Sequence, residues 1–459
     1  MNRLHMRVLR PATRAACALG VAACLMTAGC ASVRRAREVQ DQTRPPAGER
    51  TVTAAEVGLG SNSVLSLDGA VRIALAYHPS VVQARRGFEA AEAQLRQAQA
   101  ARQPTLNANA GYKRGTSNTG AAPADNSLGS SYSGSLNLSL LLYDFGKTPA
   151  VVRQALLAET AAAESLRAAR NDAAYGVRTA FLDLLRAQEL LQVSDEAVRQ
   201  YRDHLNQVKS FAEVGRRTRY DITKSEVDLG NAQLDLINAR NGLATARAVL
   251  NRGLGLAEDP RYRPGPGEME DVGGGVDGLM ATARERHPEI RALRAQEFAA
   301  SAAVDAAIAD LYPSLSLGGQ YALGGSGFPL VWNWSGALQA GVELLSGGNK
   351  NATIDQAVAQ LRSARARIAD REQQIYLDLT KAWNQMDGAR QRLALTDLTV
   401  RQAQESLELV RERYRLGQSS AVDVTDAEVT LTRARADRVN ARFDYQTAVA
   451  QIKHAIGEE

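Results

Sequence analysis

"RYRLGQSSAVDVTDAEV", residues 413–429, interrupts a long helical pattern near the end of this 459-residue chain. An earlier stretch, "FAEVGRRTRYDITKSEV" at 211–227, matches it, and Gly417 lies 202 positions after its counterpart Gly215. A glycine suits the position just past a helix, where the backbone often needs a positive φ. The aspartate that follows in each stretch suits the start of a new helix, whose first N–H groups are unpaired. Each stretch is therefore predicted to reverse the chain between two helices.

These two turns are part of a larger duplication of the chain. "HPSVVQARRGFEAAEAQL" at 78–95 is similar to "HPEIRALRAQEFAASAAV" at 287–304. The offset of 209 positions between these segments falls to 202 at the turns, so the second copy is seven residues shorter in between. A segment rich in proline and glycine at 257–275 links the copies. The sequence therefore predicts a first repeat at 65–256 and a second at 276–459.

Each copy contains a long helix, predicted at about 148–214 and about 352–416, and a return helix, predicted at 221–254 and 421–457. About 65 helical residues extend roughly 100 Å. An apolar column recurs every seven residues along both long helices, and this period indicates a left-handed coiled coil rather than a helix lying on a globule. The columns are Val177, Leu184, Leu191, Val198 and Leu205, then Leu379, Met386, Leu393, Val400 and Leu407.

Before each long helix the pattern changes to strict alternation. "SLNLSLLL" at 135–142 places its leucines on one face and its serines and asparagine on the other. Alternating runs of about ten residues, with aromatic residues near their ends, suit strands of a transmembrane β-barrel. The strands are predicted at about 103–113, 131–143, 312–323 and 331–345. Because four strands cannot close a barrel and open edges are not tolerated in lipid, several chains must share one barrel.

Residues 1–29 are predicted to be a signal peptide, with a basic beginning followed by a short apolar stretch. "TAGCAS" at 27–32 resembles a bacterial lipoprotein signal, although Thr27 stands where leucine is expected. Cys30 is then the lipidated (palmitate-bearing) first residue of the mature chain, and 30–64 is a lipid-anchored extended segment. Ala31 after the cysteine implies delivery to the outer membrane. The alternative is ordinary signal cleavage nearby, with Cys30 incidental.

Composition and spacing argue against several functions. The net charge of +5 falls to about +1 without the four arginines of the signal, so it gives no case for nucleic-acid binding. The histidines lack metal-ligand spacing, and no serine or cysteine has a nucleophile motif around it. We therefore expect no metal, no cofactor other than the covalent lipid, and no enzymatic activity.

Together, the lipoprotein cysteine, the two helix–hairpin–helix copies and the two glycine–aspartate turns resemble the TolC-like outer-membrane efflux proteins, most closely the lipoproteins of multidrug efflux pumps. The resemblance covers about 65–457 and is most specific at 414–427, with "YDFGK" at 143–147 also fitting. It implies a homotrimer whose chains form a twelve-stranded β-barrel in the outer membrane, continued by a coiled-coil α-barrel across the periplasm. Such a channel is the exit duct for small molecules delivered by an inner-membrane pump and a periplasmic adaptor.

The resemblance also implies roles for residues at the turns. Asp423 and Asp426, which share a helix face at i and i+3, would form an acidic ring at the periplasmic entrance. The simpler interpretation is that Asp423 caps a helix and that Asp426 lies on a solvated face. The first copy has Lys224 where the second has Asp426.

A closed entrance is implied to depend on hydrogen bonds between the two turns. Asp221 and Tyr414 match one such pair. A second pair normally uses an arginine at the position of Ser419, so this part of the pattern is missing. Three basic residues of the first turn are candidates to replace it: Arg216, Arg217 and Arg219.

Two alternatives remain open from the sequence. An exit duct for type I protein secretion would have the same architecture. A periplasmic coiled-coil adaptor or scaffold would need one helical hairpin and soluble β-domains, which fits two duplicated hairpins less well.

Overall fold

The computed structural model describes residues 34, 36, 39, 40, 53–60, 63–115, 129–260, 262–267 and 272–458. The chain divides into two units, residues 1–53 and 54–459. The predicted signal peptide and Cys30 lie outside the described residues. All the elements below belong to the second unit.

The duplication is confirmed by the order and lengths of the elements. The paired helices of the two copies contain 11, 22 and 67 residues in both, and the return helices contain 35 and 36. The first copy comprises β1 (Val64–Leu65), α1 (Leu67–Tyr77), α2 (Pro79–Ala100), β2 (Thr105–Gly115), β3 (Gly129–Tyr143), α3 (Lys147–Glu213) and α4 (Arg219–Gly253). The second comprises β4 (Arg263–Pro264), α5 (Val276–Arg286), α6 (Pro288–Ala309), β5 (Ser314–Gly325), β6 (Val331–Gly341), α7 (Asn349–Arg415) and α8 (Ala421–Ile456).

Some bounds differ from the predicted ones. β6 ends at Gly341 rather than near 345, because Gly341 pairs with Ser314, the first residue of β5. α4 begins at Arg219 rather than 221, because Thr218 is the N-cap residue. The parallel pairing of β1 with β4 has no counterpart in the prediction, since two-residue strands are too short to show a period.

The four long strands form one antiparallel sheet in the order β2-β3-β5-β6. Two neighbouring rows show how the register aligns residues of like polarity across all four strands. One row contains Ala108, Leu136, Tyr321 and Trp334, and the adjacent row contains Asn107, Asn137, Gln320 and Ser335. The sheet therefore has an apolar face and a polar face, and Trp334 on the apolar face is 72% exposed.

The long helices pack in pairs, α3 along α4 and α7 along α8, and α3 also contacts α6 and α8. Seven of the ten residues in the predicted columns are buried, and Val177, Leu184, Leu379 and Leu407 are each less than 5% exposed. The other three, Leu191, Leu393 and Val400, are partly buried. Within the part of the chain that the structure describes, we find no helix with both the length and the apolar character needed to cross a membrane.

Candidate functional site

The two chain reversals have nearly the same backbone. Gly215 follows the end of α3 with a φ of 73°, and Gly417 follows the end of α7 with a φ of 76°. In each turn the residue after the glycine donates its N–H to a carbonyl five residues back, to Phe211 at 2.9 Å and to Arg413 at 2.8 Å. This is the pattern of a glycine-ended helix, and a side chain at a positive φ would strain it.

Both return helices begin with a capping box. The Asp221 carboxylate accepts hydrogen bonds from the N–H of Thr218 at 3.0 Å and from its hydroxyl at 2.9 Å. The Asp423 carboxylate accepts from the N–H of Ser420 at 2.7 Å. Each aspartate is thus the third residue of its helix, and the threonine or serine is the N-cap. The hydrogen bonds from the main chain and side chain of Ser420 lower the pKa of Asp423.

Asp423 and Asp426 lie about one turn apart on α8, and both are exposed. The first copy offers a different surface at this place. Lys224, the counterpart of Asp426, pairs with Asp228 at 2.8 Å, and the Thr425 hydroxyl donates to the same carboxylate at 3.2 Å. An acidic pair is therefore presented by the second copy alone.

The implied hydrogen bond between Asp221 and Tyr414 is not formed in this chain. One oxygen of Asp221 accepts both bonds from Thr218. The Tyr414 side chain is 1% exposed, and its hydroxyl has no hydrogen-bond partner among the described residues. Burial raises the pKa of the Tyr414 hydroxyl, and the nearby positive charge of Arg217 partly opposes this effect.

Arg217 joins the two turns. Its Nη2 donates to the carbonyl oxygen of Ser419 at 3.1 Å, and its Cζ lies 4.1 Å from the centroid of the Tyr414 ring. The second contact is a cation–π interaction. Of the three arginines of the first turn, Arg217 is the one that reaches the second turn, and Arg216 and Arg219 are exposed. Ser419 stands where the family normally has an arginine, and its main-chain carbonyl accepts a hydrogen bond from an arginine of the other turn.

Sequence reasoning missed a group of buried polar residues directly behind the turns. Glu428 is 0% exposed and pairs with Arg411 at 2.7 Å. His204 is 4% exposed, and its ring centroid lies 5.5 Å from that of Tyr414. Burial, together with the charge of Arg411, lowers the pKa of His204 to about 4, so the imidazole is neutral near pH 7.

A signal for Glu428 was present in the sequence. Ala421, Val424 and Leu431 are buried on one face of α8, and Glu428 lies on the same face between Val424 and Leu431. A glutamate in a row of small and apolar residues at helical spacing indicates a buried charge that needs a partner.

The family model described as "Outer membrane efflux protein" matches residues 70–256 and 279–458. The chain is 23% identical over 326 residues to the outer membrane efflux protein BepC of Brucella suis, covering 70% of this chain and 71% of that protein. It is 25% identical over 339 residues to the alkaline protease secretion protein AprF of Pseudomonas aeruginosa, covering 71% and 70%. The fold is similar to the crystal structure of the outer membrane protein VceC of Vibrio cholerae, with a TM-score of 0.75 at 20% identity, covering 85% of this chain and 96% of that one.

Proposed function

Because the chain belongs to the outer membrane efflux protein family, we propose that it is the outer-membrane channel of a tripartite efflux system. It passes small molecules to the outside from an inner-membrane pump and a periplasmic adaptor. The observation that carries the proposal is the duplicated architecture. Each copy contributes two long strands and one 67-residue helix, and the four strands form one sheet with an apolar and a polar face. A channel of this kind needs no catalytic step.

The sheet of one chain supports a proposal of trimeric assembly. β2 and β6 are its edge strands, and in lipid each needs a partner strand. If β6 of one chain pairs with β2 of the next, three chains give twelve strands, with the row containing Trp334 toward lipid and the row containing Asn137 toward the lumen. The 67-residue helices, about 100 Å long, would then continue the barrel as a periplasmic tube.

The turns are the proposed periplasmic entrance of that tube. Asp423 and Asp426 are both exposed, and three chains would supply six carboxylates around the opening. The contact of Arg217 with Ser419 and Tyr414 would hold each pair of hairpins together at the entrance. In this proposal the acidic ring attracts permeating cations, and the contact of Arg217 with the second turn sets how far the entrance opens.

Lipidation of Cys30 would anchor the chain to the outer membrane beside its barrel. Labelling cells with a palmitate analogue should mark the wild-type protein and leave Cys30→Ser unmarked. Equal labelling of the two proteins would remove the anchor from the proposal.

A second candidate is an exit duct for secreted proteins, favoured by the similarity to AprF, which is named for alkaline protease secretion. Deleting the gene separates the two candidates. Efflux predicts that ethidium accumulates in the deletion strain and that the plasmid-borne gene restores its export. Secretion predicts loss of one or more proteins from the culture medium with unchanged ethidium accumulation.

The channel itself can be tested with purified protein. Native mass spectrometry in detergent should give three subunits, and planar bilayers should show discrete ion conductance. A stable monomer that forms no conductance would overturn the proposed channel and favour the adaptor alternative.

A further inference from the structure

Two ion pairs at equivalent places in the two copies differ in their exposure to water. In the first copy, Glu226 pairs with Lys209 at 3.0 Å, and the side chains are 51% and 46% exposed. In the second, Glu428 pairs with Arg411 at 2.7 Å, and the glutamate side chain is 0% exposed while that of Arg411 remains 36% exposed. Only the second pair places a carboxylate out of contact with water.

The Glu428 carboxylate is incompletely paired. Its Oε1 accepts from Arg411, while its Oε2 is buried with no hydrogen-bond partner among the described residues. A buried carboxylate oxygen without a partner is costly in the charged state and much less so after protonation. This geometry favours the neutral form of the group.

The charged groups around Glu428 come from three other helices. α7 contributes Arg411, whose hydrogen bond and charge favour the ionised form. α3 contributes Asp203 and α4 contributes Asp228, and both negative charges favour protonation. The largest effect is the burial of the carboxyl group away from water, which favours its neutral form. The pKa of Glu428 is therefore raised to about 7.

Two titratable neighbours, His204 and Tyr201, keep one protonation state near neutral pH. His204 on α3 is neutral, since its pKa is lowered to about 4. The pKa of Tyr201 on the same helix is raised by burial and by Glu428, so the phenol stays protonated. Lys224 on α4 forms its ion pair with Asp228. Of the three buried groups Glu428, His204 and Tyr201, Glu428 is the one that changes charge around pH 7.

We propose that Glu428 makes the packing of α8 against α3 and α7 depend on proton concentration: protonation favours the packed arrangement, and deprotonation favours one in which water reaches the carboxylate. The sign follows from linkage, because a group with a higher pKa in the packed state binds protons more tightly there. Lowering the pH through 7 thus stabilises the packed state, and raising the pH destabilises it. A consequence for channel opening rests additionally on the proposed function.

Hydrogen–deuterium exchange of the purified full chain tests this directly, with a matched control from the first copy. The pKa of Glu428 is about 7 when α8 is packed and 4.5 when water reaches the carboxylate. The ratio of the unpacked to the packed population should therefore rise about 30-fold between about pH 5.5 and 8.5. The amides of 421–431 should show this rise after correction for intrinsic exchange. Glu428→Gln should abolish it, and Glu226→Gln should keep it.

A second variant should shift the midpoint of this pH dependence rather than abolish the dependence. Arg411 lowers the pKa of Glu428, so Arg411→Gln should shift the midpoint to a higher pH. This reports on the mechanism even if Glu428→Gln does not fold. An unchanged pH profile in Glu428→Gln, or an unchanged midpoint in Arg411→Gln, would overturn the inference.

Bilayer recordings separate this inference from the channel proposal. If the protein conducts, conductance should rise with pH in wild type and Glu226→Gln, and should be insensitive to pH in Glu428→Gln. Absence of conductance in every variant, with the exchange result intact, would refute the channel but not the proton-dependent packing. Conductance without any pH-dependent exchange would refute the packing but not the channel.

Discussion

The two chain reversals share a backbone and differ in almost everything else. Both have a glycine at φ near 75° and a capping box, Thr218 with Asp221 in the first and Ser420 with Asp423 in the second. The side chains beyond these positions have diverged. Duplication has kept the residues that the turn geometry requires, while positions that only face a neighbour or solvent have been free to change.

The divergence gives the two turns opposite charge. The first turn carries Arg216, Arg217 and Arg219, whereas the second presents Asp423 and Asp426. The second turn also contains Tyr414 where the first has Ala212, and the Arg217 side chain packs on that ring. A single chain therefore joins its two hairpins by a contact that two copies of either turn could not make, because neither turn has both the arginine and the tyrosine at these positions.

The largest expected effect distinguishes the acidic residues of the two turns. Asp423→Ala combined with Asp426→Ala should weaken block by a trivalent cation roughly 10- to 1,000-fold, because a focused field concentrates counter-ions by such factors. Single-channel recordings with the cation on the periplasmic side measure this, with native mass spectrometry confirming assembly. Asp221→Asn is the control from the first turn. Equal loss in the control, or no loss in the double variant, would contradict an acidic ring specific to the second copy.

The next effect tests whether the shared backbone is equally demanding in both turns. Gly215→Ala and Gly417→Ala should each destabilise their turn by about 1–2 kcal/mol, since an L-residue at this φ carries a strain of that size. Local exchange of the turn amides would measure it, and Gly230→Ala within α4 serves as the control. A large effect at one turn and none at the other would show that the turns do not have the same backbone requirement.

A smaller effect concerns the contact between the turns. Arg217→Ala removes a hydrogen bond and a cation–π contact worth about 0.5–2 kcal/mol. In single-channel recordings, the ratio of open to closed channels should therefore rise roughly 2- to 30-fold. The neighbouring exposed arginine provides the control, Arg216→Ala, which should leave the ratio unchanged. If both variants behave alike, net charge rather than this contact holds the turns together.

The smallest effect is expected at Tyr414. Its hydroxyl is buried without a partner among the described residues, whereas its ring packs against His204 and Phe211. Tyr414→Phe keeps the ring, so the free energy of unfolding, measured by thermal unfolding, should change by less than about 1 kcal/mol. Tyr414→Leu should destabilise the protein more. A clear loss of stability in Tyr414→Phe would indicate that the hydroxyl bonds to Asp221 after all.

Most of the architecture could be predicted because it depends on local signals. The seven-residue columns of α3 and α7 are visible within each helix, and the alternation of β3 is visible within about eight residues. The glycine and aspartate of each turn indicate where a helix ends and the next begins. The trimer and the partner proteins are contained in no single-chain pattern, and they stay predictions from the family resemblance.

What only the tertiary structure decided are contacts between residues far apart in the chain. Glu226 and Glu428 occupy the same place in the repeat, yet the first is half exposed and the second is enclosed by α3, α4 and α7. Likewise, nothing in the sequence singles out Arg217 among its neighbours as the one that reaches Ser419. Sequence period determines which face of a helix is buried, but which charged side chains meet there depends on how helices about two hundred residues apart pack together.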